Sequence, residues 1–128
     1  MVLPIKSPAE IRFVDKLGPN PNTLTITGPY PYRAREDKDG HLRIFGGTHE
    51  GWVDKSEFVL VRDGIEYFSR RIAASSTDSF AYGMRGSAWM DKKQWDNAIA
   101  DLDVALRLKP NATSFNNRGT AWAAKKEL

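Results

Sequence analysis

The sequence predicts an α+β protein: a small β-barrel over residues 1–62, then about four helices over residues 63–128. Three observations lead there. In residues 1–62, short apolar runs are punctuated by Gly, Pro, Asn and Asp, the pattern of short strands joined by turns. Residues 79–112 set apolar and small residues at helical spacing on two successive segments. That spacing recurs on both sides, with Phe115 echoing Tyr82 at an offset of 33 residues.

In the first half, Leu3 to Lys6 and Ile11 to Asp15 are expected strands, followed by a loop from Gly18 to Asn22. Leu24 to Thr27 is rich in β-branched residues, Gly28-Pro29 turns the chain, and Tyr32 to Arg35 resumes as a strand. Asp39-Gly40 is a hairpin signal, because a type I′ turn needs positive φ at both central residues. His41 to Phe45 alternates, with Leu42 and Ile44 on one face. Gly46-Gly47 turns the chain again before strands at Gly51-Trp52-Val53 and at Phe58 to Val61. Asp63 is expected to cap the next helix, whose apolar stripe is Ile65, Phe68 and Ile72. A short linker and a fairly rigid join follow. Ser75 to Asp78 is a loop that ends in a cap for a helix starting at Ser79.

Tyr82, Arg85, Gly86 and Trp89 fall at i, i+3, i+4 and i+7 on that helix. After a polar break at Asp91 to Gln94, Ala98, Leu102, Ala105 and Leu106 form the matching face of a second helix, with Ile99 and Leu108 beside them. Pro110 stops it, lacking an N–H and excluding the helical carbonyl. Gly86 and Ala98 let two backbones approach closely, and Tyr82, Trp89 and Leu102 fill the flanks. Phe115, Arg118, Gly119 and Trp122 repeat the first helix, while Gly64, Ile65, Phe68 and Ile72 repeat Ala98, Ile99, Leu102 and Leu106. The helical part is therefore half a repeat (64–74), a full repeat (79–112) and another half (113–128).

This spacing resembles the tetratricopeptide repeat. Tyr82, Gly86, Trp89, Ala98, Leu102, Ala105 and Pro110 occupy that family's seven places, while Arg85 stands where many repeats have Leu. In the flanking half repeat, Arg71 replaces the second Ala and Ser76 the Pro. The resemblance implies an α-α superhelical segment. The first half resembles a bacterial SH3-like domain through GHLRIF (40–45), Gly51-Trp52-Val53 and Phe58-Val59-Leu60-Val61, with His41 near the place of an expected Trp. The order of the two parts is similar to that of a set of uncharacterised bacterial proteins.

Composition narrows the function classes. Nineteen basic and 16 acidic residues leave a net charge of +3 with no basic stripe, so no nucleic-acid partner is expected. With no cysteine, disulfides and thiolate metal sites are excluded. No stretch reaches the roughly 18 apolar residues of a membrane helix, and MVLPIKSPAE does not read as a signal peptide. The compartment is left open, the envelope included if the chain is a fragment.

Chemistry is sparse. His41 and His49 read as strand residues, without the i, i+4 spacing of helical metal ligands. Asp37-Lys38-Asp39-Gly40 lacks the third oxygen ligand and closing Glu of a calcium loop. Asp91, Asp96, Asp101 and Asp103 read as caps and solvated charges, and Asn111-Ala112-Thr113 as a repeat turn that happens to match a glycosylation sequon. No phosphate loop is present. No catalytic residue, cofactor or metal is expected.

What remains is binding surface. The tetratricopeptide resemblance implies a ligand groove along Phe80, Gly83, Ser87, Met90, Thr113, Asn116 and Thr120, although Gly83 and Ser87 occupy the places of the family's Lys/Asn carboxylate clamp. In the SH3-like half, Tyr30, Tyr32, Trp52 and Phe58 with Pro29 and Pro31 are candidates for an aromatic groove, and Trp52 also reads as a lid over the barrel core. The expected function is a non-enzymatic scaffold that binds a protein or peptide. The alternative is a cell-envelope module whose SH3-like half contacts peptidoglycan. Phe115 and Trp122 lie seven apart on a last helix with no following partner. The chain is thus expected to be a fragment of a longer repeat protein and to form a homodimer through this helix.

Overall fold

The computed structural model describes residues 1–26, 29–46 and 49–126. Thr27, Gly28, Gly47 and Leu128, which enter the expectations above, lie outside the described residues. The chain is α+β: an antiparallel sheet of five strands, then four helices. It divides into two compact units, Met1–Leu60 and Val61–Leu128.

In the first unit the strands are β1 (Val2–Pro4), β2 (Phe13–Val14), β3 (Thr23–Leu24), β4 (Ala34–Lys38), β5 (His41–Gly46), β6 (His49–Asp54) and β7 (Phe58–Leu60). The sheet runs β3-β2-β6-β5-β4, and β1 pairs with β7 in a separate two-stranded ribbon. The ladder does not close, so the expected barrel is corrected to an open sheet with β3 and β4 at its edges. Pro29 and Pro31 stand between those edge strands and have no N–H to extend a ladder. A single bridge between Val2 and Tyr32, with N···O distances of 2.8 and 2.9 Å, links the ribbon to the segment before β4.

The hairpin at Asp39-Gly40 forms as the dipeptide predicts, with φ of 50° and 74°. It sets Asp37 opposite Leu42 and Lys38 opposite His41, while the β5–β6 ladder sets Leu42 opposite Val53 and Arg43 opposite Trp52. Leu42, Ile44 and Val53 are buried with Val2, Ile11, Phe13, Ile26 and Tyr32 in one core. Several expected strands are shorter or shifted. Ile11 follows a 3-10 turn at Pro8–Glu10 and lies outside β2, and Val61 leaves β7 to start a helix.

The helices of the second unit are α1 (Val61–Ala74), α2 (Ser79–Asp91), α3 (Trp95–Leu108) and α4 (Ala112–Lys126). Because α1 begins at Val61, Asp63 sits inside its first turn, where it meets the positive helix end, rather than capping it. Asp78 does cap α2, its Oδ1 accepting from the Ala81 N–H at 3.0 Å. Its Oδ2 accepts from Arg71 Nη2 at 3.0 Å, which ties the end of α1 to the start of α2. Lys93, at φ 59°, breaks the chain between α2 and α3. Asn111 caps α4 through the Ser114 N–H at 2.8 Å, giving the sequon asparagine a structural role.

α2 packs against α1 and α3, and α3 against α4. The close approach lies at Gly86, where an added Cβ would sit 2.9 Å from Leu102 Cγ and 3.4 Å from the Ala98 carbonyl oxygen. Ala98 is buried and Ala100 exposed. Ala98→Leu should therefore overpack this contact at a cost of about 1–3 kcal/mol, and Ala100→Leu should cost little. Urea midpoints of the two variants check this, and equal midpoints would refute the register.

Candidate functional site

The first unit carries an open cleft of about 620 Å³ beside Trp52. Along β6, Gly51 and Val53 turn into the core, so alternation turns Trp52 to the opposite face. Phe13 packs so tightly against Gly51 that no side chain fits there. Arg12, Lys16, Asp39, Asp54 and Glu57 are among the residues that line the cleft. The loop that supplies Lys16, Leu17 and Pro21 is closed by Asp15, whose two oxygens accept from the Asn22 N–H at 2.8 Å and Nδ2 at 2.9 Å. The Asn22 backbone bond first, then its side chain, holds the Asp15 carboxyl below the usual range.

His41 also lines the cleft. Its Nδ1 lies 2.8 Å from the Asp39 carbonyl oxygen, which can only accept, so Nδ1 carries the proton in this bond. Asp54 faces His41 across the ladder. Asp54 Oδ1 accepts from Ser56 Oγ at 2.7 Å and Ser56 N at 2.9 Å, bonds that pull its carboxyl down. Asp54 thus stays ionised as the cap of the 3-10 turn Lys55–Glu57. His49 pairs with Gly46 at the far end of the same ladder, so the two histidines do not share a site.

The structure separates the expected aromatic groove. Tyr32 is buried, Tyr30 and Phe58 pack on the core beside it, and the two tyrosine rings meet edge to face at 5.7 Å. Burial raises the Tyr30 phenol to about 12 and pushes Tyr32 higher still. These three rings support the sheet from inside, whereas Trp52 looks out. Pro29 is exposed and Pro31 half-buried.

The expected helical groove is also not assembled as a whole. Gly83 and Ser87 are buried. Ser87 Oγ donates to the Gly83 carbonyl at 3.2 Å and accepts from Asn117 Nδ2 at 3.1 Å, so α4 covers both positions. A Cβ on Gly83 would meet Ser114 Oγ at 3.3 Å. Phe80 stacks edge-on to Phe68, and Met90 packs on the Ala98, Ile99 and Ala121 cluster. Asn116 and Thr120 are exposed, with the Thr120 hydroxyl donating to the Asn116 carbonyl at 3.0 Å, and Thr113 is half-buried.

Of the packing residues, Gly86, Ala98, Leu102 and Ala105 are buried, Tyr82 and Trp89 half-buried, and Pro110 exposed in the α3–α4 turn. Asp101, read from sequence as a solvated charge, is instead buried. It accepts from Arg85 Nε and Nη2, both at 2.7 Å, and Arg85 Nη1 also reaches Ser69 Oγ at 3.2 Å. The bond to Asp101 raises the Arg85 pKa further. Sequence reasoning missed this pair because its members stand 16 residues apart on different helices. The departure at Arg85 was the available signal.

On α4, Phe115 is 49% and Trp122 52% exposed. Among the described residues, no group of three His, Cys, Asp or Glu is placed to hold a metal, and no helix is long and apolar enough to cross a membrane. Comparisons with family models, curated proteins and solved structures found no match to this chain.

Proposed function

We propose that this chain is a non-enzymatic interaction module that binds a peptide or protein segment, built from an SH3-like β unit and tetratricopeptide-type helices. The observation that carries the reading is Trp52, turned out of the core into a cleft bordered by both cations and carboxylates. A half-buried indole gives a flat apolar anchor. Arg12 and Lys16 against Asp54 and Glu57 suit a chain that carries both signs of charge. A phosphate backbone would meet those carboxylates and be repelled. The β5–β6 hairpin and the Gly86–Leu102 contact support the two family resemblances.

The second reading is an envelope-targeting module, since the same indole can stack on a sugar of peptidoglycan.

Peptide display against the immobilised chain, run beside a pull-down with purified peptidoglycan, tests both. Selected peptides should lose affinity about 30-fold on Trp52→Ala, the scale of a central Trp anchor. Retention by peptidoglycan alone would favour the second reading. Peptides indifferent to Trp52→Ala would sink the cleft. Turnover of a hydrolase, transferase or redox substrate that disappears on His41→Ala with the fold intact would overturn the non-enzymatic assignment.

A further inference from the structure

α2 and α4 present the same face, and only that of α2 is covered. On α2 the face is Tyr82, Arg85, Gly86 and Trp89, with Arg85 stacked 5.7 Å from the Tyr82 ring centre. On α4 it is Phe115, Arg118, Gly119 and Trp122, with Arg118 stacked 5.3 Å from the Phe115 ring centre. α3 covers the first by two contacts. Leu102 presses on Gly86, and Asp101 takes the Nε–Nη2 edge of Arg85. Over α4 both places stand open. A Cβ on Gly119 would meet nothing within 4 Å. Arg118 reaches Asp103 through Nη1, at 2.8 Å, and its Nε–Nη2 edge carries no hydrogen bond among the described residues.

We propose that this face of α4 docks an acidic amphipathic helix, seated as α3 sits on α2. The inference is independent of the Trp52 cleft. Charge selects the occupant. α3 carries Asp96, Asp101 and Asp103 against Arg107, whereas described α4 carries Arg118, Lys125 and Lys126 and no carboxylate, Lys125 pairing with Asp96 of α3. A second copy fits less well. A two-fold pairing of α4 with itself sets the patch against its own image, and Arg118 would face Arg118. A helix with the spacing Ala-x-x-Asp-Leu-x-x-Ala, as at Ala98, Asp101, Leu102 and Ala105, answers each feature. Its Leu fills the space over Gly119, its Asp takes the open Arg118 edge, and its small residues admit Phe115 and Trp122.

The chain itself supplies the probe: a fluorescent peptide of residues 94–109, held helical by a staple between the exposed positions of Asp96 and Ala100. Fluorescence anisotropy with the whole chain should show saturable binding. Gly119→Leu, whose Cβ would meet nothing within 4 Å, should weaken it about tenfold or more by filling the Leu pocket. Arg118→Glu should weaken it similarly, and Asp101→Arg in the peptide should restore binding to that variant alone. Absence of binding would overturn the proposal. So would indifference to Gly119→Leu, since a peptide that merely displaced the chain's own α3 from α2 would behave that way. Failure of the charge exchange overturns it as well. If light scattering finds the free chain dimeric and Trp122→Ser monomeric, the face belongs to a second copy and the acidic helix is wrong.

Discussion

Gly51→Ala is expected to destabilise the β unit by about 3 kcal/mol or more, at the top of the range for overpacked cores. The added methyl would lie 2.5 Å from Phe13 Cε2, 2.8 Å from Phe13 Cζ and 2.6 Å from the Val14 carbonyl oxygen. Phe13 is fully buried and has nowhere to turn. The carbonyl belongs to β2, whose Val14 pairs directly with Trp52 next along β6. Relief therefore means pulling β2 away from β6, which breaks the ladder in the middle of the sheet. Truncating the ring separates the two clashes. Phe13→Leu removes the ring contacts and leaves the carbonyl in place, so the Gly51→Ala/Phe13→Leu double variant should not recover the stability of Phe13→Leu alone. Chemical denaturation followed by amide exchange in β5 and β6 reads this. An unchanged midpoint for Gly51→Ala would show that β2 and β6 are not held this close.

Leu102→Ala should cost about 2–5 kcal/mol, because Leu102 is fully buried and its loss leaves a cavity between α2 and α3. Its partner tests the same contact from the other side. Gly86→Ala drives a methyl to 2.9 Å from Leu102 Cγ and 3.1 Å from Cδ2. That overpacking costs about 1–3 kcal/mol, offset by roughly 1 kcal/mol from the better helix propensity of Ala. In the double variant the new methyl enters the space that Leu102 vacated. The two costs should then fall short of additivity by about 0.5–3 kcal/mol, the usual range for residues in contact. Gly119→Ala, at the equivalent place on α4 but with open space around it, should instead raise stability by about 0.5–1 kcal/mol. Additive costs at 86 and 102, or a loss at 119 equal to that at 86, would mean that α3 does not seat on α2 through this contact.

The parts of the fold legible from sequence are those written within a turn or two of the chain. Asp39-Gly40 needed only its own φ preferences to specify the β5 hairpin. Asp78 needed only the amide three residues on to start α2. The 3.6-residue period of Tyr82, Gly86 and Trp89, read against Ala98 and Leu102, placed small residues opposite large ones. The close approach at Gly86 follows from volume alone. On the candidate surfaces, local spacing picked out Trp52 as an aromatic of interest and Phe115 and Trp122 as one helical face.

Tertiary structure decided what depends on a partner remote in sequence. Alternation could say that Trp52 opposes Val53, but not which side the core would occupy. That came from Phe13 and Ile44 packing beneath the sheet, with Tyr30, Tyr32 and Phe58 drawn inward beside them. Closure of a barrel requires the two edge strands to pair with one another, and the order of the sheet leaves β3 and β4 at opposite edges, a condition visible only once those edges are placed. Ser87 and Asp101 are polar residues that sequence assigns to a surface. Each goes inside because Asn117, 30 residues later, and Arg85, 16 residues earlier, supply the hydrogen bonds that water would otherwise make. Burial of a polar group is affordable only where its partner arrives with good geometry, and that arrival is a property of the packed chain rather than of any local stretch.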